Sequence, residues 1–140
     1  MIFVFDENHN LDIVENKEEA CKIYPGRDVD ATVFVFYDED GNYLSPHFTV
    51  PNRHIGILNF FGIFFWDKDG KYELKYDPQL SRHEDPIWYM LSDYEGCKLN
   101  RNKYFETLEQ LKTHLRARGV VVDEPLSARS NDFTKPPPAL

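Results

Sequence analysis

Residues 60–76 read FFGIFFW, then DKDG, then KYELKY, and no other stretch limits the fold so strongly. An apolar aromatic run and an alternating Tyr-Leu-Tyr run flank a polar Asp-Gly segment. That order predicts a β-hairpin whose turn needs positive φ at the glycine. The first run is apolar at nearly every position, so it is expected to be covered on both faces. In the second, Tyr72, Leu74 and Tyr76 share one face while Lys71, Glu73 and Lys75 share the other, the pattern of a half-buried strand. Aromatic residues make up 15% of the chain and gather in such runs, so the core should be Phe and Tyr rings on a sheet.

Period and punctuation supply the other elements. Ile2–Phe5 reads as a short strand, residues 6–10 as a polar turn and residues 11–14 as the return. Asn16 with Glu19 three positions on is a capping-box pattern, and it opens a helix over residues 17–24 that Pro25-Gly26 stops. Residues 31–37 and 43–50 pair across Asp38-Glu39-Asp40-Gly41-Asn42, with Pro46 and Pro51 marking the second strand as an edge or a bulge. IFVFDENHNL, FVFYDEDGNYL and IFFWDKDGKYEL each set an aromatic strand before an Asp-led turn, a hairpin solution used repeatedly. Further on, Asp85 is expected to cap a helix with Pro86 first and Ile87, Met90, Leu91 and Tyr94 on one face, ended by Gly96. Thr107 with Gln110 opens a second helix over residues 108–118, which Gly119 stops. Residues 120–122 are an apolar exit and a candidate edge strand.

Strands first and helices later predict an α+β fold: an antiparallel meander of about six strands with helices packed on one face. Residues 1–122 form a single domain in this reading, and the Pro-rich segment 123–140 is a flexible tail. The chain has no apolar run of membrane-spanning length, and MIFVFDENHN lacks the basic and cleavage features of a secretory signal. Cys21 and Cys97 stand alone, without CxxC spacing, so neither a zinc site nor a disulfide framework is expected, although the two thiols could still pair. A cytoplasmic location fits best.

The net charge of −8 is segregated. Residues 1–45 hold eleven acids against three bases, which accounts for all of it; the remainder is neutral. Such a field disfavours a nucleic-acid backbone over the first third of the chain and favours a cationic partner. The two DxDG segments are not calcium loops. With Gly41 or Gly70 in sixth place, positions one and twelve would fall on Phe36 and His47, or on Phe65 and Tyr76, none of them a carboxylate. His83, Glu84 and Asp85 are neighbours at a helix start, where capping accounts for them. Used with one of the scattered histidines His9, His47, His54 or His114, His83 and Glu84 would suit a small hydrolase. Residues 98–118 carry Lys98, Arg101, Lys103, Lys112, Arg116 and Arg118 against Glu106 and Glu109, either a solvated helix face or a nucleic-acid or adaptor surface. Trp66 and Trp88 read as core or sheet–helix contacts. No catalytic constellation, metal set or cofactor motif is present in the sequence, so the chain does not read as an enzyme.

Leu11, Glu18-Glu19-Ala20, Asp28-Val29-Asp30, the strand at 33–37, Asp38-Glu39-Asp40-Gly41 and Leu44-Ser45-Pro46-His47-Phe48 resemble small immunity proteins of bacterial polymorphic toxin systems, including contact-dependent growth inhibition. FETLEQLKTHL at 105–115 is similar to their closing helix. The resemblance implies an antitoxin that binds the cognate toxin C-terminal domain, often a basic nuclease, and needs neither cofactor nor metal, nucleic acid nor membrane. Glu18, Glu19, Asp28, Asp30, Asp38, Glu39 and Asp40 are the expected partner-binding residues. An open sheet edge would also allow a homo-oligomer.

Overall fold

The computed structural model describes residues 1–59, 62–92 and 96–126. Strand β1 (Ile2–Phe5) is the centre of the molecule and is buried at all four positions. Its neighbours are β2 (Asn10–Val14) and β3 (Val35–Tyr37), both antiparallel to it. β4 (Tyr43–Val50) adds to β3, and β7 (Lys71–Tyr76) to β4. β8 (Lys98–Leu99) pairs parallel to β2 on the far side. The sheet is thus six-stranded, open and mostly antiparallel, in the order β7-β4-β3-β1-β2-β8. The fold is α+β as expected, while the meander holds only in part: β7 joins β4 from a distance and β8 is parallel.

Alternation sends each strand's apolar residues to two cores. On one face Phe3, Phe5, Leu11, Ile13 and Tyr37 pack with Ile87, Met90 and Leu91 from around α4 (Ile87–Met90). Leu111 and Leu115 of α5 (Leu108–Ala117) and Val122 complete this core. On the other face Ile2, Val4, Phe36, Leu44, Tyr72 and Leu74 pack with Ala20 and Tyr24 at α1 (Lys17–Ile23) and Val29 of α2 (Gly26–Asp30). Helices α4 and α5 give the expected cover of one face, and α1 with α2 cover the second. Full burial of each such Phe or Leu side chain contributes about 1.5–3 kcal/mol.

The hairpin expected across residues 60–76 does not form. β6 (Gly62–Lys68) pairs with β5 (Arg53–Asn59), and β7 pairs with β4, so the runs on either side of DKDG lie on different partners. Together the four strands make one long two-stranded ribbon. Pairing runs from Leu44↔Tyr76 to Phe48↔Tyr72, and the register shifts by one at a bulge before Val50↔Lys71. The shifted register then continues from Arg53↔Lys68 to Asn59↔Gly62. Asn59↔Gly62 is the last pair at that end, and DKDG sits beside the interruption at Pro51-Asn52. The Gly70 amide there donates to Asn52 Oδ1 at 2.7 Å. Gly70 does not take positive φ; it is required by close approach, since a Cβ there would lie 2.0 Å from the Val50 carbonyl oxygen. In β7 Tyr72 and Leu74 are buried as expected, whereas Tyr76 is exposed.

Other boundaries moved for local reasons. Pro25-Gly26 stops α1, but Pro25 also caps α2, and the positive φ of Thr32 delays β3 until Val35. Pro46 is tolerated in β4 because β3 pairs only as far as Leu44, which leaves the amide side at Pro46 without a ladder to complete. Asp77 caps the short helix α3 (Pro78–Ser81) through Gln79 N at 2.9 Å, the Asp-Pro start expected instead at Asp85. At α4 the cap is Pro86 and no side chain caps, while the Asp85 carbonyl accepts the Tyr37 hydroxyl at 2.7 Å. α5 keeps its expected start, with Thr107 Oγ1 accepting from Gln110 N at 3.2 Å. At its end Val120 N bonds to Leu115 O and Gly119 N to Arg116 O, with Gly119 at φ 84°. Residues 120–122 form no strand; Val122 is buried against the first core. Tyr94 and the tail from 127 onward lie outside the described residues.

Candidate interaction surface

The acids of the loop after β3 are all engaged within the fold. Asp38 Oδ1 accepts the amides of Asp40 and Asn42, each at 2.9 Å, and Oδ2 accepts from Asn42 Nδ2 at 3.3 Å. Glu39 is half-buried and meets the Met1 ammonium at 2.5 Å, His114 Nε2 at 3.2 Å and Arg118 Nη1 at 3.8 Å. Partial burial pushes the Glu39 pKa up. The hydrogen bonds from the ammonium and His114, with the Arg118 charge, outweigh that and hold it below the usual carboxylate range. Asp40 Oδ1 pairs with Arg118 Nη2 at 2.9 Å. These contacts stitch the start of β1 and the end of α5 to the β3–β4 loop.

The same contacts use up part of the basic run. Arg118 is held by the loop, and Arg116 pairs with Glu109 and Asp123, both at 2.9 Å. Lys98, Arg101 and Lys103 precede α5 and are not on its face.

Four expected contact residues remain open. Glu18 and Glu19 in the first turn of α1 and Asp28 and Asp30 on α2 are exposed, and their carboxylates make no ion pair with any described residue. They do not share one patch. Ile2↔Val14 and Phe3↔Tyr37 put the start of α1 and the β3–β4 loop at the same end of the sheet. α2 lies at the other end, tied by Arg27–Asp69 at 3.1 Å and by Asn52 Nδ2 donating to Gly26 O at 3.2 Å.

Beside α1 the surface opens into a cavity of about 420 Å³. Ile13, Val14 and Ile23 supply apolar lining; Glu15 and Glu19 stand on the α1 side, and Arg101, Asn102, Lys103 and Tyr104 on the other. Asp12 fixes the two sides. Its Oδ2 takes the Tyr24 hydroxyl at 2.6 Å, and its Oδ1 takes Asn100 Nδ2 at 3.0 Å and the Arg101 amide at 2.9 Å. Burial, and then the bond to Asp12, push the Tyr24 pKa up. The Ile13 amide donates to Arg101 O at 2.7 Å, and Asn102 Oδ1 takes the amides of Tyr104 and Phe105 at 2.9 and 3.1 Å. Of this site only Glu19 was expected as a contact. Asp12, Glu15 and Tyr104 were missed, and Arg101 and Lys103 were read only as part of the basic run 98–118, because the two sides are almost ninety residues apart in the chain.

The remaining candidates are dispersed. His83, Glu84 and Asp85 are exposed, as are His47 and His54, and His114 is the histidine that meets Glu39. No group of three or more His, Cys, Asp or Glu among the described residues is placed to hold a metal. Cys21, half-buried, and Cys97, buried, form no disulfide. Trp88 is half-buried against Tyr89, ring centroids 6.0 Å apart. No described helix is long and apolar enough to cross a membrane. No protein-family model matches the chain, and no curated protein or solved structure is significantly similar to it.

Proposed function

We propose that this chain is an immunity protein: a non-enzymatic, cytoplasmic inhibitor that binds and neutralises a cognate toxin domain, a basic nuclease in the simplest case. One observation carries the reading. Glu18, Glu19, Asp28 and Asp30 are exposed and make no ion pair with a described residue, yet they stand on helices packed against an aromatic core. Carboxylates held rigidly and left uncompensated steer a cationic partner and lose little entropy when they meet it. Asp38, Glu39 and Asp40 belong to the same acidic end as Glu18 and Glu19. Their carboxylates already have partners, so they add to the long-range field more than to direct contact.

The test is co-expression with the toxin fragment encoded immediately upstream. Restored growth and co-purification of the two chains are expected; failure of both rejects the reading.

A further inference from the structure

The cavity between α1 and residues 101–104 has an uncommon charge arrangement. Glu15 and Glu19 line one side, Arg101 and Lys103 the other, and none of the four makes an ion pair with a described residue. The Lys103 ammonium is 5.6 Å from the centroid of the Tyr104 ring, a weak contact that leaves its charge uncompensated. Elsewhere the chain brings its opposite charges together, as at Arg118–Asp40 and Arg116–Asp123. Here Asp12 bonds both flanking segments, which fixes the two charged walls on one groove without pairing them to each other. Apolar lining and a volume of about 420 Å³ place the groove in the range of sites that bind small molecules or short segments.

We infer that this groove binds a short polypeptide segment carrying a cationic side chain toward Glu15 and Glu19 and a carboxylate toward Arg101 and Lys103. A purely cationic segment would leave the basic wall facing like charge, and a purely anionic one would repel the α1 wall; a mixed segment satisfies both. The inference rests on the proposed function in one respect only: the natural owner of the segment is a loop of the partner domain. It adds Glu15, Arg101, Lys103 and Tyr104 to the contact surface and gives the partner loop a stated composition.

The test uses the full chain and three blocked peptides of equal length and apolar content: mixed Arg and Asp, all Arg, and all Asp. Binding is followed by shifts of backbone amide resonances. The mixed peptide is expected to bind most tightly and to move Val14, Glu19, Lys103 and Tyr104. Arg101→Gln with Lys103→Gln should erase its advantage over the all-Arg peptide. Glu15→Gln with Glu19→Gln should erase its advantage over the all-Asp peptide. Each neutralisation is expected to weaken the mixed peptide by up to roughly five-fold. Arg101→Lys keeps the charge and should keep the preference. An all-Arg peptide that binds as well as the mixed one, or shifts confined to surfaces outside the groove, overturns the inference. Growth rescue by co-expression reads the partner hypothesis separately, so the two can fail independently.

Discussion

Asp12 and Tyr24 meet side chain to side chain at 2.6 Å, and the same carboxylate also holds Asn100 and the Arg101 amide. One residue of β2 therefore joins the end of α1 to the segment that carries the basic wall. Tyr24→Phe is expected to cost about 1.5–3 kcal/mol, the range for a hydrogen bond to a charged group. Asp12→Ala should cost more, because it also strands two donors. In a double-mutant cycle followed by urea unfolding, the pair should couple by about 0.5–3 kcal/mol. Additive losses would show that the bond does not hold α1 in place.

Glu39 gives the fold a dependence on acid. Its folded pKa lies below its unfolded value, so its stabilising contribution is complete above about pH 4.3 and fades as pH falls through the folded value. The wild-type chain should therefore be more stable than Glu39→Gln at neutral pH, and the gap should close in acid. A gap that stays constant from pH 7 to pH 3 would contradict the Met1–Glu39–His114 arrangement.

Charge reversals should separate the two kinds of acid. Glu18→Lys with Glu19→Lys removes exposed carboxylates that favour the α1 N-terminus by about 0.3–1 kcal/mol each, so the fold should survive with a small loss. Association with the cationic partner should slow, and its dependence on salt should flatten. Asp40→Lys instead sets a cation against Arg118, so its main effect should be a lower melting temperature. Stopped-flow association and thermal unfolding of both variants distinguish the cases.

Gly41 and Gly119 both take positive φ, at 79° and 84°, but only the first is crowded. A Cβ on Gly41 would come within 2.9 Å of Val120 Cγ1 and 3.1 Å of Ile87 Cγ2, whereas nothing lies within 4 Å of one on Gly119. Gly119→Ala should cost about 1–2 kcal/mol from the left-handed backbone alone. Gly41→Ala should cost more, since the β3–β4 loop must also move away from the first core. Equal losses in chemical denaturation would mean that the loop gives way freely.

Local chemistry made much of this fold legible. Strands β1 and β4, the Asn16 and Thr107 caps and the Gly119 stop all follow from residues within one or two turns of each other. The repeated Asp-led segment was legible twice out of three. DENHN and DEDGN close alike: Asp6 Oδ1 takes the amides of Asn8 and Asn10, as Asp38 Oδ1 takes those of Asp40 and Asn42. DKDGK has Lys71 where the others have Asn, and its Asp67 and Lys68 belong to β6, so the segment is strand and not this loop. Pattern alone cannot choose the partner of an apolar run, which is why β6 went to β5. The groove was hidden for the same reason: Glu15 and Arg101 come to line one cavity only through the parallel docking of β8 on β2.

The ribbon's base offers the sharpest check on that choice of partner. Asn52 takes the Gly70 amide at 2.7 Å and donates to Gly26 O at 3.2 Å, pinning the interruption between β4–β7 and β5–β6 to the start of α2. Asn52→Ala removes both bonds and leaves two backbone groups unpaired, a loss of about 1–3 kcal/mol. Gly70→Ala is expected to be worse, because its Cβ would sit 2.0 Å from Val50 O and 2.7 Å from the Pro51 carbonyl carbon, both of them backbone. The two strands would have to part there. Amide exchange should then quicken at Val50 and Lys71 while β1 keeps its protection. Had DKDG been the turn of a β6–β7 hairpin, alanine at Gly70 would meet only solvent and cost no more than a strained φ. A Gly70→Ala protein with native protection across β4 and β7 would therefore restore the hairpin and remove the ribbon.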